Sequence, residues 1–329
     1  MNRTRWTLLS LLLLLALLAI PASSHLAEYV RPSTGGGPPQ PSRWDFSAVR
    51  VTWSLNPRTG ANIQGSRTVA DVIQSSFNTW TSAPNASLSA TRGADSSLNA
   101  AAFDGINLIC FVCNGDFSKE SETLAVTVTT TADAPGEDNK HGGVSSFTGQ
   151  MMDADILFNP TTSFSTNTSG TSSQDLQTVA THEIGHFFGL DHSGVVRAIM
   201  YPFAPSVETT LSYDDVAGIS ALYPKGTPDV PTGSVAGTVR LNGSPVFGAH
   251  VYVDTETGNE PFAAFGIRKS PIGTLSFPDG TYTITGVPAD SYTVIAEPLD
   301  KPVSNSDVSD FPSNFGQAAV QTNFTTRWH

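Results

Sequence analysis

Hydrophobic spacing along the chain switches between two periods, and the switches outline its elements. In "VRVTWSLN", Val49, Val51, Trp53 and Leu55 occupy every second position, as in a strand with one buried face. "TVADVIQSSFNTW" then sets Val69, Val72, Ile73, Phe77 and Trp80 three and four residues apart, which predicts an amphipathic helix against a sheet. Strands are predicted at "NLICF", "LAVTVTT" and "DADILFNP", separated by polar stretches that include "TADAPGEDNKHGG". "SSQDLQTVATHEIGHFFGL" reads as a second helix, with Ser172 or Ser173 as N-cap, Asp175 in its first turn and Gly189 ending it. "SYDDVAGISALYP" reads as a third, from a Ser212 cap to a stop at Pro224. Together these predict one α+β domain over residues 43–224.

"KGTPDVPTG" marks a linker, 225–232, by composition. Short alternating segments follow, "GSVAGTVRLNG", "GAHVYVDTETG", "GTYTITG" and "DSYTVIAEP", divided by Gly, Asn and Asp turns; they predict a small all-β sandwich over 233–298. The tail, 299–329, is polar and ends on the alternating "VQTNFTTRWH". This end reads as a strand whose partners would lie beyond the given terminus, in a truncated chain. Near the start, "RPSTGGGPPQP" lies in a Gly- and Pro-rich linker, 25–42, expected to be without regular structure.

Residues 1–24 join Arg3 and Arg5 to the aliphatic run Leu8–Ile20 and the small residues "PASS", which reads as an export signal, a retained anchor being the alternative. No other segment has the length and apolarity of a membrane helix. The net charge is −12, and loss of the signal, with its two arginines and no acid, makes it −14. That balance, with no basic patch, excludes nucleic acid and anionic membranes as natural partners. A monomer is the default expectation. Export would let the two cysteines, Cys110 and Cys113 in "LICFVCNGD", form a disulfide, but only on a tight turn, since an extended strand points them to opposite faces. Free buried thiols or a redox pair are the other readings, the latter lacking a helix start after it.

The chemistry concentrates in "VATHEIGHFFGLDHSGVVRAIMYP". Four helical residues advance roughly 400°, so His182 and His186 share a face and can share one ion. His192 becomes a third ligand if the chain turns back after Gly189. Three protein ligands leave the fourth position of a catalytic zinc open. Glu183 stands beside this face, placed to act as a general base rather than as a ligand. The residue types thus point to metal-assisted hydrolysis of a peptide bond.

"HEIGHFFGLDHS" followed by "AIMYP" resembles the metzincin zinc peptidases, and Ser193 and "MYP" resemble their matrixin branch. The resemblance implies a metzincin-like catalytic fold, a twisted mixed sheet with an active-site helix. It implies one catalytic zinc on His182, His186 and His192, Glu183 as general base, Met200 as the turn methionine, and protein or peptide substrates. "DADILFNP" and "LSYDDVAGISALYP" resemble the matrixin fourth strand and C-terminal helix. Leu157 stands where a ligand of the family's structural zinc would fall and His141 is alone, so no structural zinc is expected. No cysteine precedes the domain, so latency through a propeptide thiol is not expected. Asp133, Asp138, Asp153 and Asp155 could hold calcium as matrixin loops do, or be solvated acids. The C-terminal segment resembles carboxypeptidase-regulatory, transthyretin-like domains in its turn and strand rhythm, implying a spacer or an attachment module. The expectation is a secreted zinc endopeptidase; the competing classes are a secreted binding protein with a structural metal and an adhesin with a vestigial peptidase half.

Overall fold

The computed structural model describes residues 27–113, 117, 123–167, 173–203 and 207–329. The expected export signal, 1–24, and Ser172 lie outside them. The first part of the chain runs β1 (Tyr29–Val30), β2 (Gln40–Pro41), β3 (Thr52–Leu55), β4 (Ile63–Gln64), α1 (Val69–Thr81), β5 (Thr91–Arg92), β6 (Asn107–Cys110), β7 (Ala125–Thr131), β8 (Met151–Phe158), β9 (Phe164–Ser165), β10 (Gln174–Asp175), α2 (Leu176–Phe187) and α3 (Tyr213–Leu222). Its centre is a five-stranded mixed sheet ordered β5-β3-β6-β8-β7. Neighbouring strands are parallel except β7, which runs antiparallel to β8 along the edge.

The two long helices pack on this sheet through aromatic side chains. Thr68 caps α1 by accepting from the Asp71 amide, and Val72, Ile73, Phe77 and Trp80 form its buried face. Phe77 stacks on Trp53 of β3 at 5.0 Å and meets Phe187 of α2 edge-on at 5.2 Å. The Trp80 indole donates to the Thr181 carbonyl at 2.7 Å, which fixes α2 along α1. At the C-terminal end of α2, carbonyls without helical partners are taken by side chains. The Trp44 indole donates to Phe187 O at 2.7 Å and the Tyr223 hydroxyl to Phe188 O at 2.8 Å.

The N-terminus of α2 departs from the sequence reading. Its cap is Asp175, whose Oδ1 accepts from the Thr178 amide at 2.7 Å, rather than Ser172 or Ser173. Residues 174–175 are extended and paired with β9, so the helix starts later than its hydrophobic spacing suggests. Gly189 adopts φ +90°, and a Cβ there would sit 2.2 Å from the Ser42 carbonyl oxygen. Only glycine lets the chain turn back at this point.

Two further expectations are corrected. The Gly- and Pro-rich lead is anchored at both ends: β1 pairs with β2, the Glu28 amide donates to Gly189 O at 2.9 Å, and Tyr29 is buried against Phe311 and Phe315. Composition reports the loop between the anchors but not the pairing that holds it. The end of the chain also finds its partner inside the molecule, because β18 (below) adds to β17.

The second part comprises β11 (Thr232–Thr238), β12 (Arg240–Leu241), β13 (Ser244–Pro245), β14 (His250–Thr255), β15 (Ile272–Leu275), β16 (Thr281–Pro288), β17 (Tyr292–Glu297), α4 (Asp310–Asn314) and β18 (Arg327–Trp328). It forms antiparallel sheets, chiefly the pair β11-β16 and the four strands β15-β14-β17-β18. These strands share one continuous apolar core with the first part. Polar contacts reinforce the junction: Asp214 accepts from the Gly273 amide at 2.8 Å and Arg268 pairs with Glu208 at 3.0 Å. Residues 225–232, expected as a linker, are held against the first part where Asn85 exchanges hydrogen bonds with the Val230 backbone, both at 2.8 Å. Gly194 and Gly273 each lack the Cβ that would collide with the buried His250 ring.

Candidate metal centre

The structure brings His182 and His186, one turn apart on α2, together with His192 beyond the Gly189 turn. Ligand atoms of the three all lie within 4.8 Å of one another, and this is the only such group among the described residues. Each ring is oriented through Nδ1 by a backbone carbonyl: His182 by Ile199 at 2.8 Å, His186 by Leu190 at 2.7 Å and His192 by Asp307 at 2.6 Å. A carbonyl only accepts, so each Nδ1 carries the proton and each Nε2 presents a lone pair. The Nε2 atoms of His182 and His186 stand 3.2 Å apart. Two lone pairs at that distance repel unless a cation lies between them, and two nitrogens bound to tetrahedral zinc at about 2.0–2.1 Å are about 3.3 Å apart. The donor set therefore fits zinc. Burial, with His192 as a second cause, lowers the His182 pKa to about 3, which keeps this ring in the neutral, ligating form.

Glu183 is buried beside the histidines, and burial raises its carboxyl to about 7, opposed by the hydrogen bond that its Oε2 accepts from Thr127 Oγ1 at 2.7 Å. The same hydroxyl lies 3.1 Å from the Glu183 carbonyl, so β7 holds both ends of this residue. Met200 is fully buried against α2. Its sulfur fills the space that a Cβ on Gly185 would need, 2.1 Å away, which explains a glycine inside α2.

The loop from His192 to Met200 is tied to the start of α3. Ser193 Oγ donates to Asp214 at 2.6 Å and the Ser193 amide to Met200 O at 2.8 Å. Asp215, partner of Ser212 in a capping box, also accepts from the Ile199 amide at 2.9 Å and the Met200 amide at 3.2 Å. Because Ile199 orients His182, a helix cap is coupled to a ligand.

The sequence reading missed four contributors: Thr127, Asp215, Glu28 and Asp307. Glu28 lies 3.9 Å from His186 Nδ1 and accepts from Thr129 Oγ1 at 3.0 Å, and burial, then Asp191, push its carboxyl up to about 8. With Asp307 and Asp310 it lines the cleft over the histidines, a cavity of about 990 Å³ that Leu124–Thr127 also line.

Cys110 and Cys113 are disulfide-bonded, with Cα atoms 5.6 Å apart, because the chain turns directly after β6. The bond sits in a small apolar cluster with Leu108, Phe117 and Leu157. His141 contacts the Met152 carbonyl at 2.9 Å. Of the four aspartates considered for calcium, Asp153 and Asp155 lie two residues apart on β8 and interact electrostatically, while Asp133 and Asp138 lie in the loop between β7 and β8. Asp138 pairs with Lys140, the Asp133 carbonyl accepts from the Ser33 amide, and Asp153 and Asp155 accept from backbone amides of residues 102–108.

Residues 128–224 match the sequence profile of the family described as Matrixin. Over 55 residues the chain is 53% identical to metalloendoproteinase 1 of Glycine max, covering 16% of this chain and 18% of that protein. It is 47% identical over 49 residues to karilysin of Tannerella forsythia, 15% and 10% of the two chains. It is 44% identical over 68 residues to interstitial collagenase of Bos taurus, 20% and 14%. The matched stretch thus spans only about a tenth to a fifth of these relatives. The segment 128–224, which carries the three histidines, Glu183 and Met200, is matrixin-like.

Proposed function

We propose that the chain is an exported zinc-dependent endopeptidase. The observation that carries this reading is the convergence of three Nε2 lone pairs beside a buried carboxylate that is not needed as a ligand. The names of the relatives, metalloendoproteinase and collagenase, support the same class of activity. Export rests on the sequence of residues 1–24. Among the described residues no helix is long and apolar enough to cross a membrane.

In this reading His182, His186 and His192 hold the zinc, which supplies Lewis acidity toward a scissile carbonyl and a water molecule. Glu183 takes the proton of the attacking water at its carboxylate and passes it to the leaving amine. Thr127 holds one carboxylate oxygen by hydrogen bond, which leaves the other for that transfer. β7 pairs with β8 on one side only and borders the cleft through Leu124–Thr127. An extended peptide can therefore pair with this edge and lie across the histidines, the geometry an endopeptidase needs. Met200 packs against Gly185 of α2, and Asp215 fixes the loop that carries Met200.

The test is cleavage of casein by the mature chain. Hydrolysis that stops on chelation and returns with zinc is the expected result. Absence of cleavage by folded, zinc-loaded protein would favour a secreted binding protein instead.

A further inference from the structure

Two of the three carbonyls that orient the histidines, Ile199 and Leu190, lie within the matrixin-like segment. The third does not. His192 Nδ1 donates to Asp307 O, 115 residues further along the chain, at 2.6 Å. We propose that the C-terminal segment 304–315 is a built part of the metal centre, with the Asp307 carbonyl as the positioning group for His192. The inference rests on the zinc reading above.

The segment is held rigidly where this requires. Asp307 closes a capping box with Ser304, its carboxylate accepting from the Ser304 amide and hydroxyl, both at 2.8 Å, which leaves its backbone carbonyl facing His192. The next residue, Val308, is buried. Phe311 of α4 stacks on Phe247 at 5.3 Å and meets Tyr29 of β1 at 5.9 Å. Arg31 donates to the Asn314 carbonyl at 2.8 Å, tying α4 to the N-terminal hairpin. The Val320 amide closes the loop on Asn305 at 3.0 Å. The segment is thus wedged between the start of the chain and the second part's sheets.

An orienting carbonyl does two things for a ligand. It fixes the tautomer, so that Nε2 rather than Nδ1 is the free donor, and it holds the ring against rotation. Displacing the Asp307 carbonyl removes this contact from His192 while the carbonyls at His182 and His186 stay in place. The consequence is that the second part of the chain contributes to the metal centre in addition to any role as a spacer or attachment module. The same segment forms a wall of the cleft through Ser306, Asp307, Ser309 and Asp310.

The test is zinc affinity in the full chain, measured by competition with a chromogenic chelator and independent of peptidase activity. Asp307→Ala removes the cap and Phe311→Ala removes the anchor. Val253→Ala opens a cavity in β14, a strand that contributes nothing to the cleft. The expected result is at least tenfold weaker zinc binding in the first two variants and binding within twofold of wild type in the third. Loss of the His192 Nδ1–H signal from nitrogen-edited proton spectra should accompany the weaker binding. Unchanged affinity in both tail variants, or equal weakening in Val253→Ala, would overturn the proposal while leaving the zinc reading intact. A wild-type chain that takes up no zinc would overturn both.

Discussion

Replacing Glu183 with glutamine is expected to lower kcat/KM on an unfolded protein substrate by about 10²–10⁴-fold, the usual contribution of a positioned acid–base group. Zinc content should stay at that of wild type. The variant is chosen because glutamine has the size of glutamate and its side-chain oxygen can still accept from Thr127 Oγ1, so packing against β7 is retained. Only the capacity to take up and return a proton is lost. Activity within a few-fold of wild type would remove Glu183 from the mechanism. Loss of zinc together with activity would show that the residue supports the metal instead.

The second large effect is expected at Asp215, which touches neither substrate nor metal. Its carboxylate accepts from the Ser212 amide at 2.7 Å, the Ser212 hydroxyl at 2.8 Å and the amides of Ile199 and Met200. Asp215 and Ser212 are both fully buried. Asp215→Ala would leave several donors unsatisfied away from water, each costing about 1–3 kcal/mol, for a total on the order of 4 kcal/mol after relaxation. The expected Tm decrease is roughly 6 °C for about 300 residues that unfold together. Zinc affinity should fall about tenfold as well, because the Ile199 carbonyl that orients His182 shares a planar peptide unit with the Met200 amide that Asp215 holds. Asp215→Asn, which keeps one acceptor oxygen, should fall between. A Tm within about 2 °C of wild type would show that the loop holds its shape without the helix cap.

What the sequence makes legible follows from the range of the interactions involved. The faces of α1 and α2 and the His–Glu–His spacing are local, set by helical periodicity over a dozen residues. The Ser212 cap is local too. Its extra duty toward Ile199 and Met200 is not, since it depends on a loop whose path no periodicity describes. Thr127 is one of four threonines in an alternating strand, and nothing distinguishes the one that β7 turns toward Glu183. Glu28 and Asp307 reach the cleft from opposite ends of the chain, through segments whose Gly, Pro and polar composition gives no pairing signal. Their anchors, Tyr29, Phe311 and Phe315, are single aromatic residues without a period, so their mutual contact emerges only in the fold.

The central claim is a zinc held by three imidazoles with one position left for chemistry. X-ray absorption at the zinc edge of the zinc-loaded mature chain tests it most directly. The account predicts one zinc per chain with three imidazole nitrogens at about 2.0–2.1 Å and one further light-atom ligand from solvent. A fourth protein ligand, a sulfur ligand or a chain that binds no zinc would contradict it.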